Sequence, residues 1–253
     1  MHGSIISLIA AALFGSLLLA QPLAIYTEIS PPYQVLDKDG RLTGSSTEIL
    51  REIQKRIGNQ DPIEIVPWVR GYKLALEQPN VLLFSMARTR ERENLFHWVG
   101  PIQETVNSFF VRADSPLVIQ SLDDARKLKL IGVYREDVRD QFLSKQGFTN
   151  LDRSLDSQII LKKLMDGRIE GMVSTAVSIG DLAKAAGFRR EDVREAFPFL
   201  KVQLYFAFSK TTPAAIIQTW DRALRAMKQD GTFERILRQQ APNAPVPGPA
   251  LKP

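Results

Sequence analysis

Between residues 23 and 240, short apolar runs alternate with amphipathic stretches, and this constrains the fold more than any other feature. Such alternation is the pattern of an α/β protein. Leu23 to Tyr26 reads as a strand, Pro31-Pro32 as a turn, and Asp37 to Gly40 as a hairpin-like turn. Ser45-x-x-Glu48 has the pattern of a capping box. It opens a helix whose apolar positions are Ile49, Leu50, Ile53 and Ile57, closed by Gly58. Ile63 to Val66 and Val81 to Phe84 read as strands, with a short helix over Tyr72 to Leu76 between them. Val106 to Val111, Leu130 to Tyr134, Ile169 to Val173 and Val202 to Ser209 are further strands. The helices among them are a turn at Leu122 to Lys127, a helix running to about Lys145, one capped by Asp156, and one over Ala176 to Ala186. Thr212-Pro213 reads as an N-cap followed by proline at the first helical position. Behind it Ile216, Ile217, Trp220, Ala223, Leu224 and Met227 keep helical spacing. The last stretch, APNAPVPGPALKP, is too proline-rich to pack and is expected to be a flexible tail over 241–253.

The amino-terminal segment carries a separate signal. Ile5 to Ala20 has no charged side chain, and Gln21-Pro22 breaks the run. It falls short of the roughly 20 residues that span a bilayer. A small residue before the break suits a signal peptide over 1–20, cleaved near Ala20, and a periplasmic mature chain. A membrane anchor or a buried helix is the alternative, because the start of the run has no Lys or Arg. The chain has no cysteine and two histidines, His2 and His97, which excludes disulfides, thiolate chemistry and Cys-based metal sites. No metal or cofactor is expected. Its net charge of +5 is spread among acidic residues rather than gathered in a stripe, so no nucleic-acid partner is expected.

Five segments, in this order, resemble the bacterial family 3 solute-binding proteins, the periplasmic receptors of polar amino acid uptake. They are YTEISPPYQVLDKDGRLTGSSTEILREIQKRIG at 26–58, PWVRGYKLAL at 67–76, SMARTRERENLFHWVGPI at 85–102, LMDGRIEGMV at 164–173, and LYFAFSKTTP with MKQDGTFERI over 204–236. The resemblance implies an α/β fold of two lobes, a type II-like clamshell with two hinge strands and a ligand in the cleft. Lobe 1 would comprise 21–110 plus 206–240 and lobe 2 would comprise 111–205. The candidate hinges are VNSFFVRA at 106–113 and LYFAFS at 204–209.

The same resemblance supplies candidate ligand-binding residues. Arg92 stands at the arginine of the family's Thr-x-x-Arg segment, which pairs with a ligand carboxylate; a guanidinium offers a planar carboxylate two parallel donors. Arg88, on the same strand end, either reaches the cleft or is a solvated loop residue. Ser85 matches a polar position that hydrogen-bonds ligand. Tyr33 and Trp68 match aromatic walls of the pocket, with Arg70 close to Trp68, although Tyr33, beside a proline, is equally read as a core residue. Glu28 is either a receiver for a ligand cation or a partner for a nearby arginine. Lobe 2 departs from the family. Arg135-Glu136-Asp137 stands where a Gly-Thr or Gly-Ser is usual, and Thr175 where an Asp binds the α-amino group. Arg135 could therefore supply charge from lobe 2, and α-amino recognition is open. His97 and Trp98 read as packing residues.

The resemblance thus implies a monomeric, non-catalytic receptor for a small polar carboxylate, delivering it to an ABC-type permease. A sensory protein reporting to a membrane partner is one alternative. A dehydratase-like enzyme on the same fold is another, with Glu28 as its one acid or base.

Overall fold

The computed structural model describes residues 22–251; the expected signal peptide and its expected cleavage near Ala20 lie outside them. In chain order the elements are β1 (Ala24–Thr27), β2 (Val35–Leu36), β3 (Leu42–Thr43), α1 (Ser45–Ile57), β4 (Ile63–Ile65), α2 (Trp68–Glu77), β5 (Val81–Ala87) and β6 (Phe96–Arg112). Next come α3 (Leu122–Arg126), β7 (Ile131–Tyr134), α4 (Val138–Lys145), β8 (Leu151–Ser154), α5 (Ser157–Met165), β9 (Gly171–Thr175) and α6 (Ile179–Ala186). The chain closes with β10 (Val193–Ser209), α7 (Ala214–Gln229) and α8 (Thr232–Gln240).

One mixed sheet runs β4-β1-β5-β10-β6-β9-β7-β8, with β2 and β3 in a separate hairpin. At one end β1 lies parallel to β4 and β5; at the other β7 lies parallel to β8 and β9. The long strands β6 and β10 pair antiparallel and run through both ends. Each end has its own hydrophobic cores. Ile49, Leu50 and Ile53 of α1 pack with Trp220, Leu224 and Met227 of α7 against Leu82, Phe84, Phe206 and Phe208. Trp68 and Ala75 of α2 cover the opposite face with Leu83, Met86 and Phe96. At the far end Phe109, Ile131, Val133 and Leu143 form one core, and Phe110, Ile160, Leu161 and Met172 another. The result is a two-lobed α/β fold. No helix among the described residues is long and apolar enough to cross a membrane.

Several sequence expectations change. The capping box at Ser45 does not form. Gly44 is the N-cap of α1, and Ser45, Ser46 and Thr47 donate their N–H groups to the carbonyls of Pro32 and Tyr33. Those carbonyls replace a side-chain cap, so Glu48 is left to accept from Thr43 Oγ1. The same approach requires glycine at 44. Its φ is 105°, and a Cβ there would lie 2.6 Å from Tyr33 O. Gly44→Ala should therefore lose roughly 3 kcal/mol of stability in urea unfolding, from strain and collision together. A loss under about 1 kcal/mol would mean the Tyr33 loop moves freely.

Pro213, not Thr212, is the N-cap of α7; the Thr212 hydroxyl pairs with Ser209 Oγ instead. Strand β10 begins at Val193, well before the expected Val202, and α8 was not anticipated as a helix. The expected flexible tail is packed as far as residue 251. Ala241 and Ala244 are buried, Val246 lies against the core of the first lobe, and the tail's backbone bonds to Gln203.

Candidate functional site

Strand β5 pairs with β10 over Leu204 to Phe208, whereas β9 pairs with β6 over Asn107 to Phe110. Between these regions the long strands change partners, and a cavity of about 100 Å³ opens on them. Thr105, Asn107, Val202 and Leu204 line it at this crossover. Glu28, Tyr33, Trp68, Ser85 and Arg92 line it from the first lobe, and Asp137, Arg139, Thr175 and Ser178 from the second. Both lobes contribute to its wall.

Ser85 reaches the cavity through a bulge. On β5, Val81 and Leu83 face one core, Leu82 and Phe84 the other. Ser85 has φ 62°, and past it Met86 rejoins the first set and Ala87 the second. One residue is thus inserted, with the register shift opposite at Tyr205/Phe206, and it is turned toward the cleft. There the Ser85 hydroxyl accepts from Gln34 Nε2.

Arg92 dominates the electrostatics. It is 1% exposed. Its guanidinium carbon lies 5.2 Å from the Trp68 ring centre and 5.1 Å from that of Tyr72. Nη2 donates to Gln141 Oε1 at 2.9 Å and Nη1 to Ala87 O at 3.4 Å, while Nε has no partner among the described residues. Burial pulls its pKa down, while Tyr72 and, through space, Asp137 and Glu91 oppose that pull. A buried cation bonded to neutral oxygens, with one donor unused, is costly unless an anion joins it.

Four contacts join the lobes around the cavity. Trp68 Nε1 donates to Glu136 O at 3.1 Å, and Arg92 reaches Gln141 of α4. Tyr134 Oη donates to Glu28 Oε2 at 3.1 Å, and Lys145 pairs with Glu91. Burial raises the Glu28 carboxyl to about 7, with Asp137 adding to the rise; the Tyr134 hydrogen bond and Arg139 oppose it. The folded protein therefore holds this proton more tightly than the unfolded chain. That stabilisation is full below about 4.5 and is lost as pH rises through about 7. Between pH 5 and 8 the wild type should lose roughly 5–10 °C of Tm relative to Glu28→Gln, read by differential scanning calorimetry. Parallel pH profiles would mean that Glu28 is ionised throughout.

Six of the nine residues expected from the sequence meet at this cavity: Glu28, Tyr33, Trp68, Ser85, Arg92 and Thr175. Three do not. Arg88 is held by Glu93 through Nε and Nη2, over the rings of Trp98 and Tyr205, and lines a neighbouring cavity. Arg70 is exposed, because a residue two positions from buried Trp68 falls on the far side of α2. Arg135 is exposed, since successive residues at the end of β7 face opposite ways and Tyr134 takes the cleft side. Arg139, the second residue of α4, is the arginine the second lobe supplies, paired with Asp137. The sequence reading also missed Ser30, Gln34, Thr105, Asn107, Asp137 and Ser178. Asp137 alone had a local signal, as the N-cap of α4 accepting from Arg139 N and Asp140 N.

A profile of the bacterial extracellular solute-binding proteins, family 3, matches residues 23–240. No curated protein sequence matches the chain. Among solved structures, a histidine kinase sensor domain with similarity to periplasmic binding proteins superposes with a TM-score of 0.81 at 17% identity, covering 90% of this chain and 98% of that one. A mutant of ArgBP from T. maritima gives 0.76 at 18% identity, covering 86% and 94%. An ancestral amino acid-binding protein, a precursor of cyclohexadienyl dehydratase, gives 0.73 at 20% identity, covering 87% and 95%. At these identities the likeness is one of fold.

Proposed function

The chain belongs to the bacterial extracellular solute-binding proteins of family 3, and we propose that it is an exported, monomeric receptor that closes its two lobes on a small carboxylate-bearing solute. The observation that carries this is Arg92, a buried guanidinium at the cavity wall whose Nε has no partner. A ligand carboxylate supplies the missing acceptor and the missing charge. Glu28 stands on the same cavity and gives up its raised proton when a cationic group arrives, so a zwitterion such as an amino acid fits both ends. The lobes part where the long strands change partners, near Thr105–Asn107 and Leu200–Val202. On this reading the division falls within the long strands, nearer to residue 105 and residue 202 than the borders at 110 and 206 that the resemblance implies.

A thermal-shift panel of amino acids, polyamines and small organic acids tests the proposal. At about a hundredfold excess over Kd, a true ligand should raise Tm by roughly 5–10 °C. A panel in which only carboxylate-free cations act would reverse the assignment of Arg92. Delivery to a permease is the first reading of the partner. The fold likeness to a histidine kinase sensor domain favours a second, in which the closed form reports to a membrane sensor. Stimulation of a permease's ATP hydrolysis by the loaded receptor separates the two.

A further inference from the structure

We infer that the carboxy-terminal segment 241–251 is a strap across the hinge that holds the lobes closed. Its root leaves α8 with Ala241 and Ala244 buried, beside Ala176, Val177 and Gly180 of the second lobe, and Val246 packs against the core of the first. It then crosses the place where the long strands change partners. Gln203, 2% exposed on β10, is the anchor. Its Nε2 donates to Pro249 O at 3.0 Å and Gly248 O at 3.3 Å, and its Oε1 accepts from Leu251 N at 2.9 Å. The same Nε2 reaches Glu104 Oε2 on β6 at 3.1 Å, and Glu104 pairs with Lys201 of β10. A buried amide at the crossover thus bonds to the neighbouring strand and to the tail at once.

Past the anchor, Leu251 lines a groove of about 310 Å³ that both lobes build. Glu91 stands on the first-lobe side, Gln141, Phe142 and Lys145 of α4 on the second, and Leu200 on the crossing strand. Two of the contacts that join the lobes, Lys145 with Glu91 and Arg92 with Gln141, involve residues of this groove. When the lobes part, α4 leaves and Leu251 loses one wall. The strap is therefore fully docked only in the closed form, and by linkage its docking favours closure. This rests on the closing motion proposed above but concerns its energetics, not the ligand.

The test reads closure without any ligand. The chain has no cysteine, so Glu77→Cys and Lys162→Cys, both exposed, give two unique spin-label sites, one on each lobe. Distances between the labels are measured by pulsed electron resonance in the full chain, in a chain lacking 248–253, and in Leu251→Asp. Leu251 is 42% exposed, so a charge there leaves the fold intact. The deletion keeps Val246 and its core contacts. Both changes should lower the closed-to-open ratio by roughly fivefold or more while Tm stays within a few degrees. Two populations in unchanged proportion would overturn the strap and leave the clamshell standing. One unchanging distance in all three proteins would overturn both.

Discussion

Arg92→Ala should weaken ligand binding by at least about thirtyfold, and Arg92→Met should abolish ligand stabilisation while leaving the free protein as stable as wild type or more so. The first expectation follows from the ligand carboxylate being buried unpaired in the closed cleft, a loss of roughly 2–5 kcal/mol. Arg92→Lys should recover only part, since an ammonium cannot reproduce the planar fork. The second follows from burial. The side chain is 1% exposed, between the rings of Trp68 and Tyr72. Without ligand it is a buried charge bonded to neutral oxygens, and an apolar side chain of similar length relieves that desolvation. Scanning calorimetry with and without the best compound of the panel reads both effects. A free Arg92→Met protein that melts far below wild type would show that the guanidinium is a structural strut rather than a waiting receptor group.

Trp68→Ala should cost roughly 3–5 kcal/mol of stability, the range for removing a buried large aromatic. Three functions end together: the packing of α2 on β5, the face on which Arg92 stacks, and the Nε1–Glu136 bond across the cleft. Trp68→Phe separates them. It keeps a ring in the core and under Arg92 but removes the donor between lobes. Most of the stability should return, while binding remains several-fold weaker because the closed form has lost one of its links. If Trp68→Phe binds as wild type does, the Glu136 contact contributes nothing to closure.

The regular elements were legible where a local device marks them. Helix α1 shows apolar spacing and Gly58 at its end and forms over that face, though without its expected capping box; α5 shows Asp156 as its cap and forms as read. Elements fixed by distant partners were not legible. The first half of β10 carries Glu195, Pro198 and Lys201 and has register shifts against β6, so no period of two survives in it. The tail has proline composition and no periodicity; its place is decided by the amide of Gln203, far away in sequence. The site divides in the same way. Arg92, Trp68 and Tyr33 sit in segments that carry the family resemblance. Gln141, Arg139 and Asp137 matter only because α4 is laid against the loop after β5, and that is a fact of lobe placement.

The central claim is that the cleft waits for a carboxylate. Its most direct test is calorimetric titration of the wild type with the strongest ligand of the panel and with that ligand's carboxamide, which keeps the shape and removes the charge. The acid should bind at least about thirtyfold more tightly than the amide, and the difference should vanish in Arg92→Met. Equal affinity of acid and amide for the wild type would contradict the account.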